Sequence, residues 1–312
     1  MAMSERGTSR HLGLDLGGTN IKWVVVEHEP SGAWRAVDRD HVPTPVAGGS
    51  DAVVARLREV GADAIRRCGP VTSVGIGVPG LYDPVKGETR FLVNFPGGWP
   101  GVPVAGPVGA ALGLPAFLIN DARAFGLAEL RLGAARGAQS MIGLTLGTGV
   151  GGVIAVDGHV HQGHDGTAGE LGHQTIDPDG PWCGCGNRGC LEAFARADQI
   201  AALCGTATAE EAVRRARAGD ERALDGIAQV GRYLGIGIAN MIVVISPDRV
   251  VIGGGISAAS DVLFPPILAE LRRRVRTTSL AEVQLVAAEL GTWAGGMGAA
   301  VHGAERAAEA VA

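Results

Sequence analysis

The sequence predicts an α/β fold built from two related domains, and three observations support this prediction. Residues 12–26 (LGLDLGGTNIKWVVV) align with residues 142–156 (IGLTLGTGVGGVIAV) at an offset of 130 positions, since residue 12 matches residue 142. Apolar, strand-like runs alternate along the chain with amphipathic segments of helical period. Glycine-rich turns follow apolar runs in both halves of the sequence.

Each copy of the repeat is typical of a β-hairpin. An apolar strand leads into a turn of Gly, Thr or Asn, and a second apolar strand follows the turn. Both copies share a Gly-Leu-x-Leu-Gly core. We therefore expect each domain to open with the same hairpin.

Between the two hairpins, the sequence predicts a helix, two strands and a second helix. The first helix begins near Ser50 and ends at Gly69, which is followed by proline. Residues 71–78 (VTSVGIGV) are typical of a strand. After a stretch rich in Gly and Pro, residues 116–121 (AFLIND) predict a buried strand that ends in an aspartate, and residues 122–133 predict the helix after it.

The second half is predicted to contain several helices and one more parallel strand. One helix begins at about Ala197, and Thr208 with Glu210 opens the next in the manner of a capping box. A long apolar helix covers residues 221–245, and residues 249–257 (RVVIGGGIS) predict a strand that leads into a further helix.

The predicted domain boundaries follow from these elements. The last segment, from Ala294, is rich in alanine, and we expect a helix there that crosses back to pack on the first domain. The smaller N-terminal domain would then comprise residues 1–120 plus 294–312. The larger C-terminal domain would comprise residues 121–293.

Composition and charge exclude several classes of protein. The chain has 312 residues, of which 46% are hydrophobic, so it is expected to fold into a globular protein. A formal net charge of −5, without a stripe of Lys and Arg, argues against a nucleic-acid partner. Residues 1–18 lack the apolar region of a signal peptide, and the most apolar run, residues 234–245, is too short to cross a bilayer. We therefore expect a cytoplasmic protein without a membrane partner.

Three glycine-rich turns, residues 15–20, 147–152 and 253–255, are candidate phosphate-binding sites. Glycine allows backbone N–H groups to converge on an anion, and nearby threonine hydroxyls add donors. The alternative for each turn alone is that glycine serves only to make the chain turn tightly. Two such hairpins facing each other would hold a nucleoside triphosphate between the domains, with the third turn on the adenosine side.

Two other nucleotide-binding motifs do not fit. Residues 75–80 (GIGVPG) and 147–152 (GTGVGG) match G-x-G-x-x-G, but a dinucleotide site needs a strand before the motif and a helix after it. Residues 153–156 continue as a strand, and residues 81–84 are expected to form a turn. No glycine turn ends in Gly-Lys-Ser/Thr, which excludes a Walker loop.

A segment of little predicted regular structure holds a cluster of metal-ligand residues. One imidazole and three thiols are supplied by His173, Cys183, Cys185 and Cys190. This is the composition of a closed Cys₃His structural zinc site, although the spacing H-x9-C-x-C-x4-C differs from that of zinc fingers. Buried thiols or a redox role remain alternatives. The other cysteines, Cys68 and Cys204, are expected to be buried thiols.

Asn120 and Asp121 stand at the end of a buried strand and the start of a helix. A carboxylate at such a position is first of all a candidate helix N-cap. Strand ends are also where open α/β sheets bind their ligands. Both interpretations remain open on the residues alone.

Together, the turn DLGGTN (residues 15–20), the turn LGTGVGG (residues 146–152) and the internal duplication resemble the sugar kinases of the actin-like ATPase superfamily. Within it, the chain resembles the ROK family (repressors, open reading frames and sugar kinases) from about Leu12 to the C-terminal helix. The resemblance implies a two-domain actin-like ATPase (ribonuclease H-like) fold. Its duplicated βββαβα-type domains would enclose a nucleotide cleft.

The resemblance also implies ATP and Mg²⁺, with Asp15 helping to place the metal ion. An oxygen ligand suits this hard cation. The alternative, Asp15 as a solvated strand residue, is disfavoured because its neighbours Leu14 and Leu16 are apolar and an unpartnered carboxylate there would be unfavourable. The other nucleotide-binding residues that the resemblance implies are Gly17, Gly18, Thr19, Asn20, Thr148, Gly149, Gly254 and Gly255.

For the sugar, the resemblance implies that Asn120 binds a hydroxyl and that Asp121 is the general base. Glu170 and Glu192 would accept hydrogen bonds from sugar hydroxyls. His173 would ligate a structural Zn²⁺ with one nitrogen and face the sugar with the other, and the three clustered cysteines would complete the zinc site. The alternative for Glu192 is an acidic residue at a helix N-terminus.

The acceptor is expected to be glucose, phosphorylated at its 6-hydroxyl, because GELGH (residues 169–173) and GCLE (residues 189–192) resemble bacterial ROK glucokinases. N-acetylglucosamine, N-acetylmannosamine, other hexoses and sugar-like cyclitols are the alternatives. NFPGGW (residues 94–99) departs from the shorter glucokinase loop, and Trp99 there could serve packing alone.

Two other functions are alternatives. A ROK repressor would carry a winged helix-turn-helix before the first glycine turn, and we expect none because only eleven residues precede Leu12. An actin-like ATPase that transfers phosphate to water is disfavoured by the Asn-Asp pair and the cysteine-rich segment. Relatives of this kind are homodimers or homotetramers, so a homo-oligomer is expected.

Overall fold

A computed structural model of the protein describes residues 7–93, 95–256 and 259–310. Its strands, in chain order, are β1 (Ser9–Leu16), β2 (Asn20–His28), β3 (Trp34–Pro43), β4 (Val74–Val78), β5 (Gly80–Asp83), β6 (Glu88–Leu92), β7 (Ala116–Asn120), β8 (Met141–Leu146), β9 (Val150–Val156), β10 (His159–Val160), β11 (Arg249–Gly254) and β12 (Gln284–Ala287). Its α-helices are α1 (Gly49–Cys68), α2 (Ala105–Leu112), α3 (Asp121–Arg131), α4 (Glu192–Ala195), α5 (Ala197–Cys204), α6 (Ala209–Arg217), α7 (Glu221–Ile245), α8 (Ser260–Arg274) and α9 (Ala294–Glu309).

The chain forms two compact units. Unit 1 contains residues 1–133, 162–167 and 292–312, and unit 2 contains residues 134–161 and 168–291. The expected boundary after residue 120 differs from this division, because α3 packs against α9 and therefore belongs to unit 1. Helix α9 packs on β1 and β4 within unit 1.

The two units contain sheets of the same design. Unit 1 has the strand order β3-β2-β1-β4-β7, and unit 2 has the order β10-β9-β8-β11-β12. In each sheet the first three strands pair antiparallel, and the last two are added in parallel. The repeat therefore corresponds to a structural duplication, in which β1–β2 matches β8–β9.

The two hairpins differ by one residue in their turns. Leu16 pairs with Ile21, which leaves residues 17–20 in the first turn. Leu146 pairs with Val150, which leaves residues 147–149 in the second. The constant sequence offset therefore aligns β1 with β8 correctly but misaligns β2 and β9 by one position.

Unit 1 has a different kind of packing on each face of its sheet. Leu12 and Leu14 of β1 point into an apolar core shared with α1 and α2. On the opposite face α9 lies directly on β1 and β4: a Cβ on Gly75 would stand 1.6 Å from the backbone oxygen of Ala299. Only glycine allows this approach, and it brings the first residues of α9 beside the carboxyl end of β1.

Unit 2 is centred on α7, whose bounds are those that the sequence predicts. The helix begins after Asp220, whose side chain accepts the N–H of Ala223 at 2.9 Å. The whole helix is apolar and long enough to cross a membrane, whereas residues 234–245 alone are too short. However, 56% of its apolar 18-residue stretch is buried inside the protein. Leu234, Ile238 and their neighbours form a core with β8, β11 and the surrounding helices, as in the core helix of a globular domain.

Three local expectations are corrected by the structure. Residues 80–83 form strand β5, which pairs with β6, rather than a turn; no helix follows the glycines there, so the exclusion of a dinucleotide motif still holds. The capping box of α6 uses Glu211 rather than Glu210, because Glu211 accepts the N–H of Ala207 at 3.1 Å. Cys68 is only half-buried, whereas Cys204 is buried as expected.

The loop of residues 94–99 is described from residue 95 onward, and Asn94 lies outside the described residues. Trp99 is half-buried at the edge of the unit 1 core, and its ring centroid lies 4.5 Å from that of Phe95. Packing therefore accounts for this tryptophan.

Candidate active site

Asp15 lies near the carboxyl end of β1, on the face that α9 covers. Its side chain is 16% exposed, and its Oδ2 lies 3.6 Å from Nζ of Lys22, its pairing partner on β2. Lys22 also donates to the carbonyl of Thr292 at 2.9 Å. Burial raises the pKa of Asp15, while the Lys22 ammonium acts in the opposite direction. A carboxylate in this position is stabilised by a nearby cation.

The first glycine turn is fixed from outside by Thr44, which follows β3. The Thr44 hydroxyl donates to the Gly17 carbonyl at 2.7 Å, and the Thr44 N–H donates to the Thr19 carbonyl at 2.9 Å. Within the turn, the Gly17 N–H donates to the Asn20 carbonyl at 3.0 Å. Gly18 and Thr19 are exposed, so their backbone faces solvent on a turn of fixed shape.

Asn120 fills the N-cap position of α3 that we considered for Asp121. Its Oδ1 accepts the N–H groups of Ala122 and Arg123 at 3.0 and 3.2 Å, and its Nδ2 donates to the Gly80 carbonyl at 3.2 Å. The amide has two donor hydrogens, so one remains for a ligand after the bond to Gly80. Asp121 is the first residue of the helix and is exposed, and its Oδ1 accepts the N–H of Ala122 at 2.8 Å.

The register of the unit 1 sheet brings Asp15 and Asn120 to one edge. Asp15 pairs with Gly77 of β4, and Gly77 pairs with Ile119 of β7, directly before Asn120. Parallel neighbours in a sheet are about 4.8 Å apart, so these two strand ends lie about 10 Å from each other. Gly77 leaves the space between them open, since it has no side chain.

In unit 2, the second glycine turn is anchored by residues 192 and 197. The Val150 N–H donates to Glu192 Oε2 at 2.9 Å, and the Gly147 carbonyl accepts the N–H of Ala197 at 2.8 Å. Thr148 at the tip of the turn is exposed. Gly149 has no room for a side chain, because a Cβ would stand 2.5 Å from Glu192 Oε2.

The third glycine turn follows β11 beside the end of β8. Gly254 has a φ of +91°, and a Cβ there would stand 2.0 Å from the Leu146 carbonyl, so glycine is required. Gly255 opens onto a groove of about 290 Å³ in unit 2. The other residues that line the groove are Glu210, Val213, Arg214, Arg217 and Ala259.

The predicted metal ligands converge in unit 2. The ligand atoms of His173, Cys183, Cys185 and Cys190 all lie within 4.8 Å of one another. Cys183 Sγ is 3.6 Å from His173 Nδ1, and Cys185 Sγ is 3.7 Å from Cys190 Sγ. Tetrahedral zinc, with bonds of about 2.3 Å to sulfur, places neighbouring sulfur atoms about 3.8 Å apart. The spacing of this cluster therefore fits a four-coordinate zinc ion.

Burial disfavours the thiolate form at two of the clustered cysteines. Burial raises the pKa of Cys183 to about 12, and burial likewise raises the pKa of Cys190. The backbone N–H of Asn187 is the main cause of a lowered pKa at Cys185. Buried thiolates need positive charge close by, and a cation shared by the cluster would supply it.

The GELGH segment is held against β9 by its glycines. A Cβ on Gly172 would stand 2.0 Å from the Val150 carbonyl, so this residue must be glycine. Glu170 is exposed and precedes the short 3-10 turn of residues 171–173, and the His173 N–H donates to the Glu170 carbonyl at 3.0 Å. Since His173 Nδ1 faces Cys183, its Nε2 is the nitrogen left for another partner.

Glu192 is the first residue of the four-residue helix α4, as the helix-terminus alternative predicts, but its carboxylate has specific partners. Besides the Val150 N–H, its Oε1 lies 3.5 Å from Cys183 Sγ. Sequence reasoning missed this link, and it also missed Lys22 and Thr44. The Asp15–Lys22 pair follows from the hairpin register; no sequence signal identifies the other two.

Comparison with known proteins identifies the family. Residues 11–304 match the model of the ROK family. A glucokinase of Thermotoga maritima is 36% identical over 308 residues, which covers 93% of this chain and 95% of that protein.

Two solved structures are similar as well. A ROK hexokinase from Thermus thermophilus has a TM-score of 0.84 and 36% identity and covers 96% of this chain and 99% of that one. A ROK family glucokinase from Streptomyces griseus, in complex with glucose and AMPPNP, has a TM-score of 0.78 and 31% identity and covers 95% of this chain and 100% of that one. With its duplicated sheets and actin-like ATPase fold, the chain belongs to the ROK family.

Proposed function

We propose that this protein is an ATP-dependent sugar kinase that transfers the γ-phosphoryl group to the 6-hydroxyl of glucose. The observation that carries the proposal is the placement of Asp15 and Asp121 at one edge of the unit 1 sheet, beside the first glycine turn. Relatives that are glucokinases, one of them solved with glucose and AMPPNP, support the choice of sugar and donor.

Asp121 is proposed to act as the general base. Its exposed carboxylate would accept the proton of the sugar hydroxyl while that oxygen attacks the γ-phosphorus and the bond to the ADP leaving group breaks. The proton would end on Asp121 and the phosphoryl group on the sugar oxygen. Asn120, fixed by its bonds to the helix and to Gly80, would offer its remaining N–H to a neighbouring hydroxyl.

Each unit is proposed to offer nucleotide-binding groups on its own glycine turns. Exposed backbone on the two hairpin turns suits phosphate oxygens, and the groove beside Gly255 suits the adenosine end. Asp15 would help to hold Mg²⁺, which neutralises charge on the phosphates when bound. Lys22, 3.6 Å from Asp15, supplies a further positive charge on this side.

The four clustered side chains are proposed to hold a structural Zn²⁺. Four protein ligands leave no open position, so the ion would organise the segment without taking part in the transfer. Glu170, Glu192 and Nε2 of His173 would then bind sugar hydroxyls. Because the cluster replaces a hydrophobic core in this segment, we expect the sugar-binding side chains to depend on it.

A coupled ADP-release assay tests the function and names the acceptor. Purified protein is incubated with MgATP and glucose, other hexoses, N-acetylglucosamine, N-acetylmannosamine or cyclitols, and a reaction without sugar is the control. The proposal expects ADP release with glucose and little without it. ADP release that needs no sugar would instead indicate an ATPase, and a preference for another acceptor would replace glucose within the same mechanism. A cytoplasmic location and a homo-oligomeric state accompany the proposal as expectations.

A further inference from the structure

Glu192 lies between the metal-ligand cluster and the second glycine turn. One carboxylate oxygen, Oε2, accepts the Val150 N–H at 2.9 Å. The other, Oε1, lies 3.5 Å from Sγ of Cys183, where the thiol donates to it. A thiolate cannot donate, so in the metal-bound form the link to the segment is the chain itself, since Glu192 follows Cys190 by two residues. A single side chain therefore contacts both the segment that carries the sulfur atoms and the turn between β8 and β9.

The turn is anchored a second time by the same part of the chain. The Gly147 carbonyl at its other end accepts the N–H of Ala197, the first residue of α5. Between these two anchors the turn makes one internal bond, from the Gly147 N–H to the Gly149 carbonyl at 3.0 Å. Its shape is thus fixed at both ends by the stretch that follows Cys190.

A carboxylate beside a proposed phosphate-binding turn calls for a physical reason. Its negative charge opposes the binding of a triphosphate, so the charge itself does not favour the ligand. Its hydrogen bond to the Val150 N–H, in contrast, fixes the start of β9, and charge-assisted bonds of this kind are stronger than neutral ones. The contact therefore serves to fix the start of β9, and the negative charge of Glu192 is not what favours the ligand.

We propose that Glu192 is a positioning residue that couples the metal-ligand segment to the β8–β9 turn, so that order in this segment sets the affinity for the nucleoside triphosphate. The inference rests on the proposed function, because it takes the turn as a nucleotide site. It adds that loss of the metal would weaken nucleotide binding even when no sugar is present.

The test measures binding of Mg-AMPPNP by calorimetry without sugar, so that no turnover is needed. Glu192→Ala removes the acceptor, and we expect roughly 10-fold weaker binding, as for other groups that orient a site indirectly. Glu192→Gln keeps an oxygen that can accept the Val150 N–H and should bind within about 3-fold of wild type, which is less than 1 kcal/mol. Asp179→Ala removes an exposed carboxylate of the same segment and serves as the matched control.

Two further measurements separate positioning from a loss of folding. Hydrogen exchange at the Val150 amide should accelerate in Glu192→Ala and in chelated wild-type protein, but not in Asp179→Ala. Chelated wild-type protein should also bind Mg-AMPPNP more weakly after the chelator is removed by dialysis. If Glu192→Ala does not fold, the chelated protein and Glu192→Gln still test the coupling between the metal-ligand segment and the turn.

The outcomes distinguish this inference from the proposed function. Unchanged nucleotide affinity in Glu192→Ala, or in the chelated protein, would overturn the coupling alone. Weak binding in Glu192→Gln equal to that of Glu192→Ala would also overturn it, because the acceptor would then not be what matters. A wild-type protein that binds no Mg-AMPPNP at all would overturn the proposed function and the coupling together.

Discussion

The β1–β2 turn of unit 1 is fixed by Thr44, which directly follows the neighbouring strand of the same sheet, whereas the β8–β9 turn of unit 2 is fixed by residues 192 and 197. Both turns come from copies of one hairpin. In unit 1 the turn is held by a residue that adjoins a strand of the same sheet. In unit 2 the shape of the turn depends on a segment with little regular structure, in which three thiols and an imidazole lie close together.

This difference shows two ways of holding polar side chains in place. Asp15, Asn120 and Asp121 stand at strand ends, so the sheet register fixes them. Glu170 and Glu192 flank the ligand cluster and have no strand of their own. We therefore expect unit 1 variants to change chemistry or packing, and unit 2 variants to change metal content and local order together.

The largest expected effect is in unit 1, at the proposed base. Asp121→Asn should lower kcat by roughly 10²- to 10⁴-fold, because general-base catalysis contributes about that much. Asparagine keeps an oxygen that can accept the Ala122 N–H, so the melting temperature and Mg-AMPPNP binding should stay close to wild type. The coupled ADP assay gives kcat, and a variant with nearly normal turnover would exclude Asp121 from this role.

The corresponding change in unit 2 is Cys190→Ser, which removes a buried thiol of the proposed metal site. We expect loss of bound metal and a fall in sugar phosphorylation of at least about 10- to 100-fold, since even groups that only orient metal ligands have effects of that size. Metal content by mass spectrometry and limited proteolysis near residues 170–190 measure the two consequences. Cys204→Ser, at a buried thiol outside the cluster, is the control and should keep its metal. Normal turnover of metal-free protein would show that the segment orders itself.

Acid should destabilise unit 1 through His302. Burial lowers the pKa of this histidine from 6.5 to about 4, with Arg306 acting in the same direction. Between these values the unfolded chain binds the proton and the folded protein does not, so the free energy of unfolding falls as the pH falls from 6.5 to 4. At about 1.4 kcal/mol per unit, the loss is about 3 kcal/mol.

Urea denaturation between pH 4 and 7 measures this slope. His302→Gln should flatten it by about one proton, whereas the exposed His161→Gln should leave it unchanged. An equally steep slope in His302→Gln would assign the acid sensitivity to other groups, such as His11, whose pKa burial also lowers from 6.5 to about 4.

The smallest expected effect concerns packing. Gly75→Ala should destabilise the protein by about 1–3 kcal/mol, because its Cβ would meet the Ala299 carbonyl and α9 would have to shift. Gly106→Ala is the matched control: in α2 its Cβ would meet no atom within 4 Å beyond its own helix and chain neighbours, and because Pro107 disfavours a helical residue with a Cβ before it, a change of less than about 0.5 kcal/mol is expected. The melting temperature of each variant checks the pair, and equal values would mean that α9 adjusts freely.

Much of the fold is predictable from the sequence because its signals are local. The bounds of α7 follow from the cap at Asp220 and the proline after Ser246, and the repeated Gly-Leu-x-Leu-Gly core predicts both hairpins. The assignment of α3 and of residues 162–167 to unit 1 depends on tertiary packing, which no local pattern reports. The short strand β5 was missed because four residues rich in turn formers carry little strand signal.

The candidate site is predictable from the sequence to about the same extent as the fold. Residue types chosen by chemistry, the three thiols and the imidazole, do come together in space. Side chains that act by hydrogen bonding to a distant backbone, such as Thr44 to Gly17, carry no compositional mark. Asn120 took the capping role considered for Asp121 because its amide lies one residue closer to the strand, where Oδ1 reaches two N–H groups.

Helix α9 lies against β1 and β4 although all of unit 2 separates them in the chain. During synthesis on the ribosome, the first sheet therefore emerges long before the helix that covers one of its faces. The face of the first sheet that α9 covers stays exposed until the rest of the polypeptide has been translated. Folding of unit 1 is therefore completed late, although its first residues are the first to be synthesised.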